Sequence, residues 1–126
     1  MSKDRIIIYR VEHKLDGSGP YAGKRSISAK FPEMHNDPQH PSPYLETEYD
    51  SKPIHMNGDK RCAFRNIAQL KRWFSVEDRR ILDKHSFHIA EYSIPSTYLV
   101  AHLPMQTVFK KNVGCRILRT MSPLEV

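Results

Sequence analysis

The stretch that decides the fold is Arg5-Ile6-Ile7-Ile8-Tyr9-Arg10-Val11, close to the N-terminus. Its isoleucines and tyrosine predict a β-strand, and the apolar run is too continuous for a half-exposed edge, so we expect a central strand. Arg10 interrupts this run, and a buried polar side chain is costly unless it is paired or lines a pocket. The glycines and proline of the turn at 16–20 then set Tyr21 close to the end of the strand.

A second β-prone run, residues 105–111, also contains one polar insertion, Gln106. We expect Arg10 and Gln106 to lie on neighbouring strands with their side chains facing one cleft. A guanidinium in that position suits bidentate contact with a carboxylate or phosphate. The alternative for Arg10 is a buried ion pair with Glu12 or with an acid of residues 46–50.

Residues 31–60 contain five of the nine prolines and no helical period, which predicts a long loop. They also carry six Asp and Glu against two Lys and Arg, so the loop is acidic. Loops of this length are usually functional lids or disordered linkers, and the aromatic residues Phe31, Tyr44 and Tyr49 favour an ordered lid.

Two consecutive helices are predicted after this loop. Asn66 is a suitable N-cap for a helix over 67–74, in which Trp73 shares an apolar face with Ile67 and Leu70 and is expected in the core. A second helix, with its cap at Ser75-Val76-Glu77-Asp78, should run to about Lys84.

The remaining segments indicate strands. Alternation predicts a strand over 87–94 that Pro95 ends, while 61–63 fits a short strand or a loop end and 98–103 stays unassigned. Residues 106–111 and 115–120 fit a hairpin or one bulged strand. The order of elements predicts an α+β fold with a mainly antiparallel sheet and two short helices.

The length of 126 residues fits one domain, residues 1–126. Two cysteines far apart and the lack of a signal-like N-terminus favour a reducing compartment, so we expect a cytoplasmic protein. No apolar run approaches the ~20 residues needed to cross a bilayer, so no membrane association is expected.

The formal net charge is +6, and it is unevenly distributed. Residues 1–30 carry seven Lys and Arg against three acids, and residues 61–126 carry eleven against five. These basic flanks fit either contact with nucleic-acid phosphates or an ordinary solvated surface.

Several common chemistries lack their motifs. No Cys or His spacing fits a closed zinc site, so no metal is expected. No G-x-S-x-G elbow, Rossmann fingerprint or P-loop is present, and Gly17-Ser18-Gly19 is followed by Pro20 instead of a helix N-terminus.

Two resemblances arise from these residues. The segments Tyr9 to His13, Gly19-Pro20-Tyr21, His40 to Pro43, Cys62-Ala63-Phe64 and Leu70 to Phe74 resemble a family of small uncharacterised bacteriophage and prophage proteins. That resemblance implies a viral accessory role in the host cytoplasm, with a host protein or defence complex as partner.

The second resemblance covers two short pieces. Tyr9-Arg10 is similar to the NAD-contacting strand of ADP-ribosyltransferases, and residues 104–109 with Arg116-Ile117 resemble their catalytic Glu-x-Glu strand. This resemblance implies an ADP-ribosyltransferase-like fold with NAD as cofactor, Arg10, His13 and Tyr21 as cofactor-binding residues, and Gln106 in the catalytic place. A neutral amide there supplies no charge to a cationic transition state, which argues against ordinary transferase activity. Ser26-Ile27-Ser28 weakly resembles the Ser-Thr-Ser strand of such enzymes.

Two functional hypotheses follow. The first is an NAD- or ADP-ribose-binding phage protein that modifies or modulates a host target. The second is a non-catalytic, anti-CRISPR-like inhibitor of a host defence or nucleic-acid-processing complex, with Glu46, Glu48 and Asp50 contacting a basic partner. Direct nucleic-acid binding ranks third because no recognised motif supports it.

Overall fold

The computed structural model describes residues 4–21 and 40–126. The strands are β1 (Arg5–His13), β2 (Lys60–Ala63), β3 (Phe87–Pro95), β4 (Leu99–His102), β5 (Thr107–Lys110) and β6 (Arg116–Met121). The helices are α1 (Pro43–Thr47), α2 (Ile67–Trp73) and α3 (Val76–Lys84). The strands form two antiparallel sheets of three, in the orders β1-β3-β6 and β2-β5-β4. The predicted α+β class is confirmed.

The two sheets meet where β1 approaches the residue after β2. Tyr9 and Phe64 exchange both backbone hydrogen bonds, at 2.8 and 2.7 Å. Because side chains alternate along β1, Val11 faces the apolar cluster of α2 and α3, and Ile8 faces a second cluster with residues of β2 and β5. The first sheet is therefore packed on both faces at the end that carries Val11.

Both predicted helices are confirmed, and their caps explain where they begin. The Asn66 side chain accepts a hydrogen bond from the Gln69 amide at 2.8 Å. Ser75 and Asp78 form a reciprocal capping box at the start of α3. Trp73 is 7% exposed within the core cluster, so its predicted core position is confirmed.

The prediction of an unbroken loop over 31–60 is wrong at residues 43–47, which form α1. Ser42 caps this helix by accepting a hydrogen bond from the Leu45 amide, and Pro43 occupies the first turn, where a missing N–H costs nothing. One helical turn is too short for its period to be visible in the sequence. The predicted loop residues 31–39, together with Ser26 to Ser28, lie outside the described residues.

β1 was expected to be a central strand, and this prediction is wrong: β1 is an edge strand of its sheet. Its apolar run reflects cover on both faces, by the helices and by the second sheet, and not neighbours on both sides. Among the described residues beyond Tyr9, the turn after β1 pairs with its free edge, where the His13 amide donates a hydrogen bond of 2.8 Å to the Ser18 carbonyl.

The hairpin expected between 106–111 and 115–120 is also wrong, and so is the single bulged strand. β5 lies between β2 and β4, whereas β6 pairs with β3 in the other sheet. Thr107, Val108 and Phe109 are all buried, so β5 is covered on both faces. Asn112, in the following turn, is held beside β2 by a side-chain hydrogen bond to Asp59 at 2.9 Å.

The open assignments are now resolved. Residues 61–63 belong to β2, and residues 98–103 contain the end of a 3₁₀ turn, Ser96–Tyr98, followed by β4. Within the described part of the chain, no helix has the length and apolar character to span a membrane.

Candidate functional site

A cavity of about 830 Å³ opens beside the free edge of β1. The turn at 16–21 forms one wall, the segment 40–43 leading into α1 forms another, and β2 forms the base. Its charged lining residues are Arg10, Lys60, Arg61, Lys111 and Asp16. The cavity thus has an excess of positive charge, which favours an anionic ligand.

A buried ion cluster lies at the base of this cavity and is centred on Glu12, which is 2% exposed. Its Oε2 atom accepts hydrogen bonds from Arg10 at 2.8 Å, from the Tyr92 hydroxyl at 2.7 Å and from Lys111 at 3.1 Å. Burial is the largest cause that raises the pKa of the Tyr92 hydroxyl, and the hydrogen bond to Glu12 and the negative charge of Glu12 raise it further. The hydroxyl therefore keeps its proton and donates it to Glu12 in a hydrogen bond. Among the described residues two cations, Arg10 and Lys111, share this one carboxylate, which gives the cluster a net positive charge that suits an anionic ligand.

Arg10 is held in place by the turn that follows β1. The Gly17 carbonyl accepts a hydrogen bond from Nη1 at 2.9 Å, and Gly17 adopts φ 72°, a conformation that favours glycine. A Cβ on Gly19 would lie 3.3 Å from Nη2, so the turn packs closely against the guanidinium.

One donor of Arg10 is left without a partner. The residue is 7% exposed, and its Nε is buried without a hydrogen-bond acceptor in the described structure. An unsatisfied buried donor costs about 1–3 kcal/mol, and more when the group is charged. A ligand oxygen reaching Nε would remove this cost.

Aromatic rings form another part of the cavity lining. Tyr21 stacks on Phe74 with ring centroids 6.3 Å apart, and its hydroxyl accepts a hydrogen bond from Trp73 Nε1 at 2.9 Å. Phe64 contacts Trp73 at a centroid distance of 5.8 Å. Trp73 is therefore both a core residue and part of the cavity wall.

Gln106 also lines the cavity, but it does not share a sheet with Arg10. It precedes β5, and β2 separates that strand from β1. Its Nε2 donates hydrogen bonds of 2.7 Å to the Pro41 carbonyl and to Glu46 Oε1. The expectation of one shared cleft is met, the expectation of neighbouring strands is wrong, and the amide donors of Gln106 hold α1 against β5.

Cys62 lies on β2 at the base of the cavity. Burial raises the pKa of its thiol to about 11, with the nearby charge of Arg10 acting in the opposite direction. The thiol is therefore protonated near neutral pH and is a poor nucleophile.

The other residues named from the sequence are separated from this site or lie at its rim. His13 accepts a hydrogen bond from the Leu15 amide and packs edge-on against Phe87, on the helix side of the sheet. Glu48 and Asp50 are exposed, whereas Glu46 is partly buried and also accepts a hydrogen bond from the Met105 amide at 3.1 Å.

The comparisons with known proteins identify the family. A family model described as "Bacteriophage T4 Y00F protein" matches residues 1–123. The chain belongs to this phage protein family. No curated protein and no solved structure matches it. These comparisons add no support to the resemblance to ADP-ribosyltransferases, which stays a prediction.

The site of this Y00F-family protein includes residues that sequence reasoning missed. Tyr92, on the paired strand β3, and Lys111, directly after β5, complete the Glu12 cluster from 80 and 99 residues away, and no sequence pattern signals such contacts. Glu12 could be identified from the sequence as a partner of Arg10, because it lies two residues later in the same strand and such residues share a face. Among residues 4–21 and 40–126, no group of three or more His, Cys, Asp or Glu is placed to hold a metal ion.

Proposed function

We propose that this phage protein binds a phosphate-bearing nucleotide of the NAD or ADP-ribose type in the Arg10 cavity, and thereby modulates a target in the host cytoplasm. The observation that carries the proposal is the buried Arg10 Nε, which has no hydrogen-bond partner in the described part of the chain and belongs to a residue that lines a cavity with an excess of positive charge. The volume is in the range of about 300–1,000 Å³ that small-molecule sites occupy.

The ligand class follows from the two kinds of wall. Guanidinium and ammonium groups bind phosphate through charge-assisted hydrogen bonds, and Arg10 and Lys111 lie side by side on Glu12. The aromatic wall of Tyr21 and Trp73 suits a nucleobase or nicotinamide ring. A dinucleotide carries both groups.

The proposed role is binding without ordinary transfer. Gln106 supplies no negative charge, and its two amide protons are used by Pro41 and Glu46. Labelled NAD incubated with the protein and a host extract should therefore leave no label on protein or nucleic acid. Label that disappears with Gln106→Ala would instead establish an amide-dependent transferase.

The binding test is a thermal shift with ADP-ribose, NAD and, as the phosphate-free control, adenosine. Ligand at about 100 times its Kd stabilises the native state by ~2.7 kcal/mol, which raises the Tm by several degrees. We expect this shift with ADP-ribose and not with adenosine. Equal shifts with both ligands would show that no phosphate is recognised.

The matched variant is Arg10→Lys, because it keeps a cation for Glu12 but lacks the Nε donor and the planar fork. It should fold and lose the ADP-ribose shift. A second readout uses Cys62 in a Cys115→Ser background, because both thiols are free. Cys62 reacts slowly at about pH 9 through the small thiolate fraction that its raised pKa allows, and this alkylation should slow further when ADP-ribose fills the cavity. An unchanged shift in Arg10→Lys together with unprotected Cys62 would refute this binding site.

The second candidate function is the anti-CRISPR-like inhibitor. It is favoured by Tyr49, which is 95% exposed between the exposed acids Glu48 and Asp50. Such a tip suits a basic groove on a host complex. Cells that express the protein should then allow a CRISPR-targeted phage to plate, and Glu48→Lys with Asp50→Lys should abolish this effect. Glu46 is left unchanged because it holds Gln106.

A further inference from the structure

A second surface lies on the first sheet, away from the cavity. The helices cover the end of its face that carries Val11, Ile89 and Met121. The other half of this face forms two cross-strand rows, Tyr9-Glu91-Arg119 and Ile7-Ser93-Arg116, with Arg5 beyond them. We call this half the open face.

The open face is exposed and basic. Arg5, Arg116 and Arg119 are exposed, and Ile7 is 41% exposed between them. The pairing β1-β3-β6 thus brings arginines from both basic flanks of the chain onto one surface. Among the described residues of the two rows, Glu91 is the one carboxylate. Its Oε1 atom forms an ion pair with Arg119 Nε at 3.2 Å. An excess of positive charge remains.

We propose that the open face binds single-stranded nucleic acid. Neighbouring strands lie ~4.8 Å apart and residues of one face repeat every ~7 Å, so the rows offer space for two or three nucleotides. The arginines supply phosphate contacts and planar groups on which bases stack, and Tyr9 and Ile7 supply an apolar floor. This surface is separate from the Arg10 cavity and does not depend on its ligand.

The side chains of the open face are available for such contacts. The side chain of Arg116 makes no hydrogen bond within the described residues, and the side chain of Arg119 contacts Glu91 through Nε alone. Arg5 is committed by its hydrogen bonds to Ser93 and the Gly114 carbonyl, at 2.8 and 2.9 Å, and serves as a fixed positive charge. The test therefore changes Arg116 and Arg119 and leaves Arg5 intact.

The experiment measures fluorescence anisotropy of labelled oligo-dT of about 12 nucleotides over a salt series. Each phosphate contact on a single strand contributes a slope of about −0.7 in log K against log salt. Arg116→Ala with Arg119→Ala should therefore flatten the slope by ~1.4, which corresponds to about tenfold weaker binding at about 0.2 M salt. Tyr9→Leu should weaken binding without changing the slope, because it removes an aromatic ring but no charge. Tyr9→Phe keeps the ring and should bind as tightly as the parent protein.

The matched control is Arg80→Ala with Lys84→Ala, which removes the same charge from exposed positions of α3. It should weaken binding much less than the open-face pair. Equal losses in the two variants would overturn the proposal, because binding would then follow net charge alone. The proposal would also be overturned if duplex DNA bound as tightly as oligo-dT. If polyglutamate competed as well as unlabelled oligo-dT, the open face would instead bind an acidic protein partner.

Discussion

Replacing Glu12 by Gln tests whether the buried ion cluster holds the site together. The side chain is 2% exposed, and its Oε2 accepts hydrogen bonds from Arg10, Tyr92 and Lys111. Glutamine keeps the shape but removes the charge, which leaves the guanidinium of Arg10 buried without a counter-charge. Breaking a buried ion pair in this way costs about 3–5 kcal/mol.

The matched control is Glu77→Gln, which removes a carboxylate that pairs with Arg80 at the surface. Its side chain is 75% exposed, so water screens the pair and the cost should be about 0–1 kcal/mol. Urea unfolding, followed by the fluorescence of Trp73, gives both free energies of unfolding. We expect Glu12→Gln to lower the free energy of unfolding by at least 2 kcal/mol more than the control, about the difference between these two ranges. Equal losses would refute the cluster as a structural centre.

Two further predictions concern stability. Trp73→Ala should lower the free energy of unfolding by about 3–5 kcal/mol, because it empties a buried site, and a cost below 1 kcal/mol would contradict its core position. Because this variant lacks the one tryptophan of the chain, its urea unfolding is followed by far-ultraviolet circular dichroism. Burial is the largest cause that lowers the pKa of His88 and of His102, so folding favours the neutral rings and stability should fall as the pH falls below about 6.5. His88→Gln with His102→Gln should flatten this decline, and an unchanged pH profile of the unfolding free energy would contradict it.

Local signals predicted local structure well. The N-caps Asn66 and Ser75 and the apolar spacing of α2 are properties of adjacent residues, and both helices begin where the caps indicate. Alternation likewise predicted β3 nearly to its ends. These features depend on hydrogen bonds within one turn or on one face of one element.

Strand pairing could not be predicted in the same way. The continuous apolar run of β1 indicates burial on two faces but not the number of neighbouring strands. The sequence therefore predicts a central strand where the structure has an edge strand. The Asn112-Val113-Gly114 turn suits a hairpin, yet β6 pairs with β3. Pairing is decided by long-range packing, which a single sequence does not display.

In the candidate site, too, the sequence indicated single residues but not the contacts between distant segments. Arg10 was singled out as an unusual polar insertion, and it lies at the base of the cavity with Glu12 as its partner. Lys111 joins that carboxylate from 99 residues away, and only the folded chain brings the two together.

The most direct test of the Arg10 cavity as a nucleotide site is a crystal structure of the protein with ADP-ribose. We predict a pyrophosphate oxygen at about 2.7–3.2 Å from Arg10 Nε, with the adenine or ribose against Tyr21 or Trp73. A bound ligand elsewhere on the surface, with Arg10 Nε still lacking an acceptor, would contradict the proposal.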